Sequence, residues 1–225
     1  MFGDRERIYG TRDAVATVNS HRYFMAASFR EAVANRRSVY ELSGKSTLSD
    51  KDLGELLRFA VKHTPSAYNS QSTRIVLLTG KAHVDLWEIV KQTLRERIRA
   101  DAFIRTEQKI DTAFASGYGT VLFFEDMSVI AAMQAQFPVY ADRFPLWSDQ
   151  TNAMHQFVIW TMLEDAGMGA SLQHYNPLID DQVKKEWKLP SEWRLIAQMP
   201  FGIPTGKPAE KEFEPLDKRI FMFDR

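Results

Sequence analysis

From about Gln150 to Ala166 the chain carries a helical stretch whose residues Ala153, Met154, Phe157, Val158, Ile159, Trp160, Met162 and Leu163 are apolar on nearly all sides. A surface helix shows one apolar stripe. A helix apolar all round has to be buried, either in a core or in a subunit interface. Ser148 or Asp149 can cap its start, and Gly167 suits the left-handed residue that follows a helix. A chain of 225 residues has room for one sizeable core. The stretch therefore reads as a central helix that also faces a partner chain, and the other elements have to be arranged around it.

Those elements alternate in type. Residues 1–22 show no periodicity and read as an irregular arm, with one domain expected over 23–225. A helix is expected from Tyr23 to Asn35, followed by Arg36-Arg37-Ser38. Ser49 starts a second helix as N-cap, with Asp50 and Asp52 in the first turn, where the helix dipole favours negative charge. Leu53, Leu56, Leu57, Ala60 and Val61 form its single stripe, and Pro65 ends it near His63. Ile75 to Thr79 reads as a buried strand closed by Gly80. Helices are expected over Val84–Arg99 and Ala102–Ala115, a strand over Thr120–Phe124, and a helix over Met127–Gln136. The aromatic segment Arg143–Ser148 reads as irregular. After the central helix, Met168–Gln173 reads as extended, Asp180–Trp187 as a short helix and Arg194–Met199 as the last core strand. Pro200–Pro204 reads as a rigid turn, and Lys218–Phe223 as an added terminal strand. Short strands alternating with helices argue for a layered α/β or α+β domain.

Two segments carry binding chemistry. The loop after the second helix holds Ser66, Tyr68, Asn69, Ser70, Gln71, Ser72, Thr73 and Arg74. Ser and Asn are ordinary turn formers, so a solvated connection explains the loop. A site that reads the edge of a flat, polar heterocycle explains it as well, and composition leaves both open. Arg36-Arg37-Ser38 can hold an anion, because guanidinium forks match phosphate oxygens and the hydroxyl adds a donor. A solvated basic turn is the plainer alternative.

Several function classes are excluded. The chain has no cysteine, which removes disulfides, thiolate nucleophiles, iron–sulfur clusters and zinc–cysteine sites, and suits a reducing compartment such as the cytoplasm. Lys plus Arg equals Asp plus Glu, 29 against 29, giving no push toward nucleic acid or acidic membranes. No apolar run approaches the ~20 residues that span a bilayer. The N-terminus is charged and lacks the apolar region of a secretory signal. His21, His63, His83, His155 and His174 lack ligand spacing, HExxH is missing, and no metal is expected. Neither GxSxG nor GxxxxGK[ST] occurs. Gly167-Met168-Gly169 follows a helix and precedes a strand, the reverse of a dinucleotide fingerprint. An organic cofactor with a phosphate and a polar ring fits what is left, and would carry the chemistry itself.

At this point the residues resemble a known family. Arg36-Arg37-Ser38, then Pro65-Ser66-Ala67-Tyr68-Asn69-Ser70-Gln71, the apolar helix, Gly167-Met168-Gly169-Ala170-Ser171-Leu172-Gln173 and Pro200-Phe201-Gly202-Ile203-Pro204 with Lys207 resemble, in that order, the FMN-dependent nitroreductases. The loop looks most like the subgroup of copper-induced and fungal nitroreductase-like proteins. Ser72 and Thr73 stand where the commoner pattern has Pro and an aromatic. The resemblance implies an α+β fold, a central mainly antiparallel sheet flanked by helices, and an intertwined homodimer with FMN at the interface. It implies that Arg36, Arg37 and Ser38 contact the FMN phosphate or ribityl region, and that Asn69 and Gln71 bond the ring edge. Ser66 and Tyr68 would lie close to the ring, and Gly169, Ala170, Ser171 and Leu172 near a flavin face. Lys207 and Arg219 would be further cations near the phosphate. Independently of the resemblance, a reduced flavin bears negative charge near N1 and O2, and Arg74 is a candidate cation toward it. The implied activity is hydride transfer from NADH or NADPH through flavin N5 to nitroaromatics, quinones or related electrophiles, with no protein acid or base required. The rival reading is a flavin-binding regulatory or stress-response protein with little turnover.

Overall fold

The computed structural model describes residues 28–224. The irregular arm expected over 1–22 and the first residues of the helix expected from Tyr23 lie outside the described residues. Ser28 caps α1 (Phe29–Asn35) in a capping box with Glu31. Then follow β1 (Leu42–Ser43), α2 (Asp50–His63), β2 (Thr73–Thr79), α3 (Gly80–Arg95) and α4 (Ala100–Ile110). β3 (Gly119–Asp126), α5 (Met127–Gln136), α6 (Phe144–Asp165), β4 (Gly169–Ala170), α7 (Asp180–Glu186) and β5 (Trp193–Pro204) complete the chain order. The strands form one five-stranded antiparallel sheet in the order β1-β5-β3-β2, with β4 also pairing β5. This is the expected α+β class.

β3 lies between β5 and β2, and both its faces are covered. Val121 and Phe123 point into one core with Leu53, Leu56 and Ala60 of α2 and Ile159 and Leu163 of α6. Leu122 and Phe124 point into the other, with Leu86, Trp87 and Val90 of α3, Phe114, and Val183 of α7. A strand buried on both faces reads as a continuous apolar run, which is why Thr120–Phe124 was legible as a strand.

Four local expectations are corrected. α6 begins at Phe144, not after Ser148, because Pro145 falls in the first turn, where its missing N–H costs nothing. Gly80, expected to close β2, opens α3 in a left-handed conformation (φ 55°) that a glycine adopts freely. β5 runs on through the expected Pro200–Pro204 turn, since the fixed φ of proline is compatible with extended backbone, and the Pro200 carbonyl accepts from Ser171 N–H. Lys218–Phe223 adds no strand: a single 3₁₀ turn covers Leu216–Lys218, and Phe213, Leu216, Ile220, Phe221, Met222 and Phe223 are exposed.

Two buried histidines among the described residues, His83 and His155, set an acid limit on stability. Trp87 Nε1–H donates to Thr120 Oγ1 (3.1 Å), the Thr120 hydroxyl lies 2.9 Å from His83 Nδ1, and His83 Nε2 lies 3.2 Å from the Ala115 carbonyl. A carbonyl only accepts, so the proton sits on Nε2 and the neutral ring satisfies every group. Burial pushes the His83 pKa below its ordinary value, against the pull of the Ala115 carbonyl. Burial also lowers that of His155, opposed by the Thr151 carbonyl and Glu125. The unfolded chain therefore binds protons that the fold refuses. This contribution is complete above the ordinary histidine pKa of about 6.5 and is lost as pH falls through it, with a slope of at most about 1.4 kcal/mol per pH unit for each proton. Melting temperature is expected to drop on acidification below pH ~6.5, and His83→Gln to flatten that drop. Thermal melts of both proteins across this window check it, and parallel curves would remove His83 from the account.

Candidate functional site

The expected site residues fall into two groups. Arg36, Arg37 and Ser38 follow α1 and, with Tyr40, Glu41 and Lys207, line a cleft of about 610 Å³. The opposite wall is the segment Gly206–Ala209, drawn in by Arg37, whose Nη2–H donates to the Ala209 carbonyl at 2.6 Å. Lys211 also lines the cleft. Sequence reading missed it; its spacing of four residues from Lys207 was the available signal. The Arg36 guanidinium lies over the Trp160 ring, 4.3 Å from its centroid. Its Nε is buried and has no hydrogen-bond partner. Burial, and secondarily the neighbouring Arg37 charge, lower the Arg36 pKa, with Glu164 opposing. A buried cationic donor left unsatisfied, among three further cations, fits an oxyanion such as a phosphate.

Gly169 and Ala170 belong to the same end. Ala170 bridges Ser38 in parallel, and its carbonyl accepts from Val39 N–H at 2.9 Å. A Cβ on Gly169 would lie 2.9 Å from Val39 Cβ, so glycine is what allows this approach. Ser171 is fully buried and Leu172 packs against the core. Arg219 lies in the exposed tail beyond the Leu216–Lys218 turn and is not part of the cleft wall.

The polar loop forms the second group. Ser66, Gln71 and Arg74 line a cavity of about 190 Å³ with Thr73 and His155. Tyr68 lines a neighbouring cavity of about 290 Å³ with Trp147, Thr151 and Met154 of α6, and its ring stacks on Trp147 at an interplanar angle of 20°. Tyr68, Asn69 and Gln71 have positive φ (54°, 51° and 50°). Asn tolerates this conformation, but in Tyr and Gln it stores strain of the kind that collects at binding sites. Gln71 N–H donates to Ser66 Oγ at 3.0 Å and Asn69 N–H to the Ser66 carbonyl at 3.0 Å. Arg74, expected to act on a bound ring, donates to the Gln71 and Thr73 carbonyls and pairs with Asp126 at 3.0 Å. Burial works against it, but hydrogen bonds from Ser128 and the Arg74 charge hold the Asp126 carboxyl below its ordinary range.

The two groups stand at opposite ends of the chain's fold. The basic cleft adjoins Trp160 near the end of α6, and the loop adjoins Trp147 near its start. At the helical rise per residue the two are about 20 Å apart. The sheet agrees: Thr73 opens β2 opposite Glu125 at the end of β3, whereas Ala170 pairs Phe201 beside the start of β3. α6 spans the gap with an unusual division of faces. Ser148, Thr151, Asn152, His155 and Gln156 are buried, while Leu146, Met154 and Phe157 are exposed. Phe59 and Val61 of the adjacent α2 are exposed as well.

A sequence model described as the nitroreductase family matches residues 33–203. The nitroreductase FRM2 of Saccharomyces cerevisiae is 34% identical over 188 residues, 83% of this chain and 93% of that protein. The nitroreductase CinD from Lactococcus lactis, solved in complex with chloramphenicol, superimposes with a TM-score of 0.80 at 39% identity, covering 88% of this chain and 100% of CinD. A structure from Desulfovibrio desulfuricans in complex with FMN shares the fold, with a TM-score of 0.64 at 14% identity over 88% of this chain and 98% of its own.

Proposed function

The chain belongs to the nitroreductase family, and from that premise we propose that it is an FMN-dependent oxidoreductase that works as a homodimer. The observation that carries the reading is the basic cleft, with the buried Arg36 Nε in want of a partner. Arg36, Arg37, Ser38 and Lys207 would hold the phosphate, and Lys211 would add a further cation. The Gly169–Ala170 strand would border the ring, and small residues there let a flat ligand approach the backbone. Asn69 and Gln71 would bond the ring edge. A two-fold axis laid on the exposed face of α6 would carry one protomer's loop to its partner's cleft, and the apolar Leu146, Met154 and Phe157 suit such a seam.

FMN held there would supply the redox chemistry, hydride transfer from NADH or NADPH to a nitroaromatic, quinone or related electrophile. The protein's part is to bind the phosphate, orient the ring and exclude water from it. The nitrophenyl ring of the chloramphenicol bound by CinD supports nitroaromatics as acceptors.

The visible absorption spectrum of the purified protein tests the cofactor. A flavin band that sharpens on heat release as free FMN is expected. A colourless protein that also refuses added FMN overturns the reading. NAD(P)H consumption with a nitroaromatic or quinone acceptor then separates turnover from a purely flavin-binding role. Asn69→Ala is expected to weaken FMN binding about fivefold, the worth of one ordinary hydrogen bond. Full affinity and rate in that variant would move the ring edge away from this loop.

A further inference from the structure

Glu125, at the end of β3, is fully buried. Its Oε2 accepts from Ser72 Oγ–H at 2.5 Å, and its Oε1 accepts from Thr73 Oγ1–H at 2.6 Å and from Asn152 Nδ2–H at 2.9 Å. Asn152 also donates to the Phe124 carbonyl, and its own Oδ1 accepts from Gln156 Nε2–H at 2.7 Å. All five side chains are less than a tenth exposed. The donors to the carboxylate are neutral, and the nearby Arg74 is paired with Asp126. Burying a carboxylate without a cation is expensive, and its hydrogen bonds must be complete for the arrangement to hold.

The position of this network gives it a use. Ser72 and Thr73 follow directly on Gln71, the last of the left-handed residues of the polar loop. A left-handed non-glycine residue relaxes unless its neighbours fix it. Before the loop lies the end of α2; after it, the first firm attachment is the pair of hydroxyls on Glu125, backed by Asp126 N–H donating to the Ser72 carbonyl at 3.0 Å. Asn152 and Gln156 tie the same carboxylate to α6. We propose that Glu125 is a positioning residue: it fixes the Tyr68–Gln71 loop in its strained, ligand-presenting conformation and locks that loop to α6. For its functional part the proposal rests on the reading of this loop as the flavin-edge site.

Amide hydrogen exchange on the flavin-free protein, together with FMN titration, tests it. Glu125→Ala is expected to speed exchange at Asn69, Ser70 and Gln71 by about tenfold or more, the loss of at least one charge-assisted hydrogen bond, with amides of β3 and β5 far less affected. Glu125→Gln keeps the shape and one carbonyl acceptor for Thr73 and Asn152, and should restore most of the protection. FMN affinity should fall more than tenfold in the alanine variant and much less in the glutamine one. Exchange that stays at the wild-type rate, or rises equally throughout the sheet, overturns the proposal. If Glu125→Ala does not fold, Ser72→Ala, which removes one donor and keeps the charge, must show the same local pattern at smaller amplitude; no change in it overturns the proposal too. A wild-type protein that does not bind FMN defeats the flavin reading alone, because the exchange measurement still decides what Glu125 does.

Discussion

Alanine at both Arg36 and Arg37 is expected to raise the dissociation constant for FMN by about two to four orders of magnitude, from roughly 1.5–3 kcal/mol for each charged hydrogen bond lost. The two arginines act differently. Arg36 lies on Trp160 with a buried, unpartnered Nε, so its charge packs against α6 while one of its donors makes no hydrogen bond within the protein. Arg37 already holds the Gly206–Ala209 wall through the Ala209 carbonyl. Removing it therefore loosens the wall as well as deleting a charge. Arg37→Lys keeps the charge and loses the planar fork, and should fall between wild type and the double variant. Fluorescence titration of the flavin-free proteins measures all three. Circular dichroism guards against misfolding, since Arg36 also packs against α6. Wild-type affinity in the double variant would move the phosphate to another part of the surface.

Met154→Asp with Phe157→Asp is expected to break the proposed dimer and to abolish the proposed flavin binding together. Both side chains are 40% exposed on the protomer, three residues apart on one face of α6. Burying the exposed two-fifths of each at a seam contributes about 0.6–1.2 kcal/mol, a two-fold interface counts every residue twice, and an aspartate there would add the cost of burying a charge. The double aspartate should thus leave a folded monomer at micromolar concentration, because neither position fills the protomer's own core. FMN would be lost although Arg36, Arg37 and Lys207 are untouched, since the ring edge would be contributed by the partner's loop. Sedimentation velocity with the absorption spectrum reads both effects. A monomeric variant that retains FMN at wild-type affinity would show that one protomer suffices, and a monomeric wild type would refute the two-chain site.

Much of the fold was open to sequence reading wherever its cause is local. Ser49 caps α2 by accepting from Asp52 N–H, and α5 occupies Met127–Gln136 with both ends as expected, since Asp126 caps its start. Arg36, Arg37, Ser38 and the 66–74 loop were visible as polar clusters, although composition left a solvated turn open for each. The strand through Pro200 was not, because proline marks a turn from its neighbours alone and only the pairing with β3 shows that the backbone stays extended. Nor could Lys211 be connected with Arg37, which lies on the other side of a long sequence separation and meets that segment through one backbone carbonyl.

The sequence alone led to the expectation that α6 is covered on nearly every side, since apolar surface in that amount is costly to leave in water. It could not decide which side meets which neighbour. The tertiary structure turned Thr151, Asn152, His155 and Gln156 inward, where the carboxylate of Glu125 and the carbonyls of Thr151 and Phe124 satisfy some of them, and left Met154 and Phe157 on the outside. It also set the basic cleft and the polar loop about 20 Å apart along that helix. Capping, periodicity and turn chemistry act over a few residues and are written in order along the chain. The burial of Glu125 depends on partners 27 and 53 positions away, and only the closed sheet brings them within a hydrogen bond of one another.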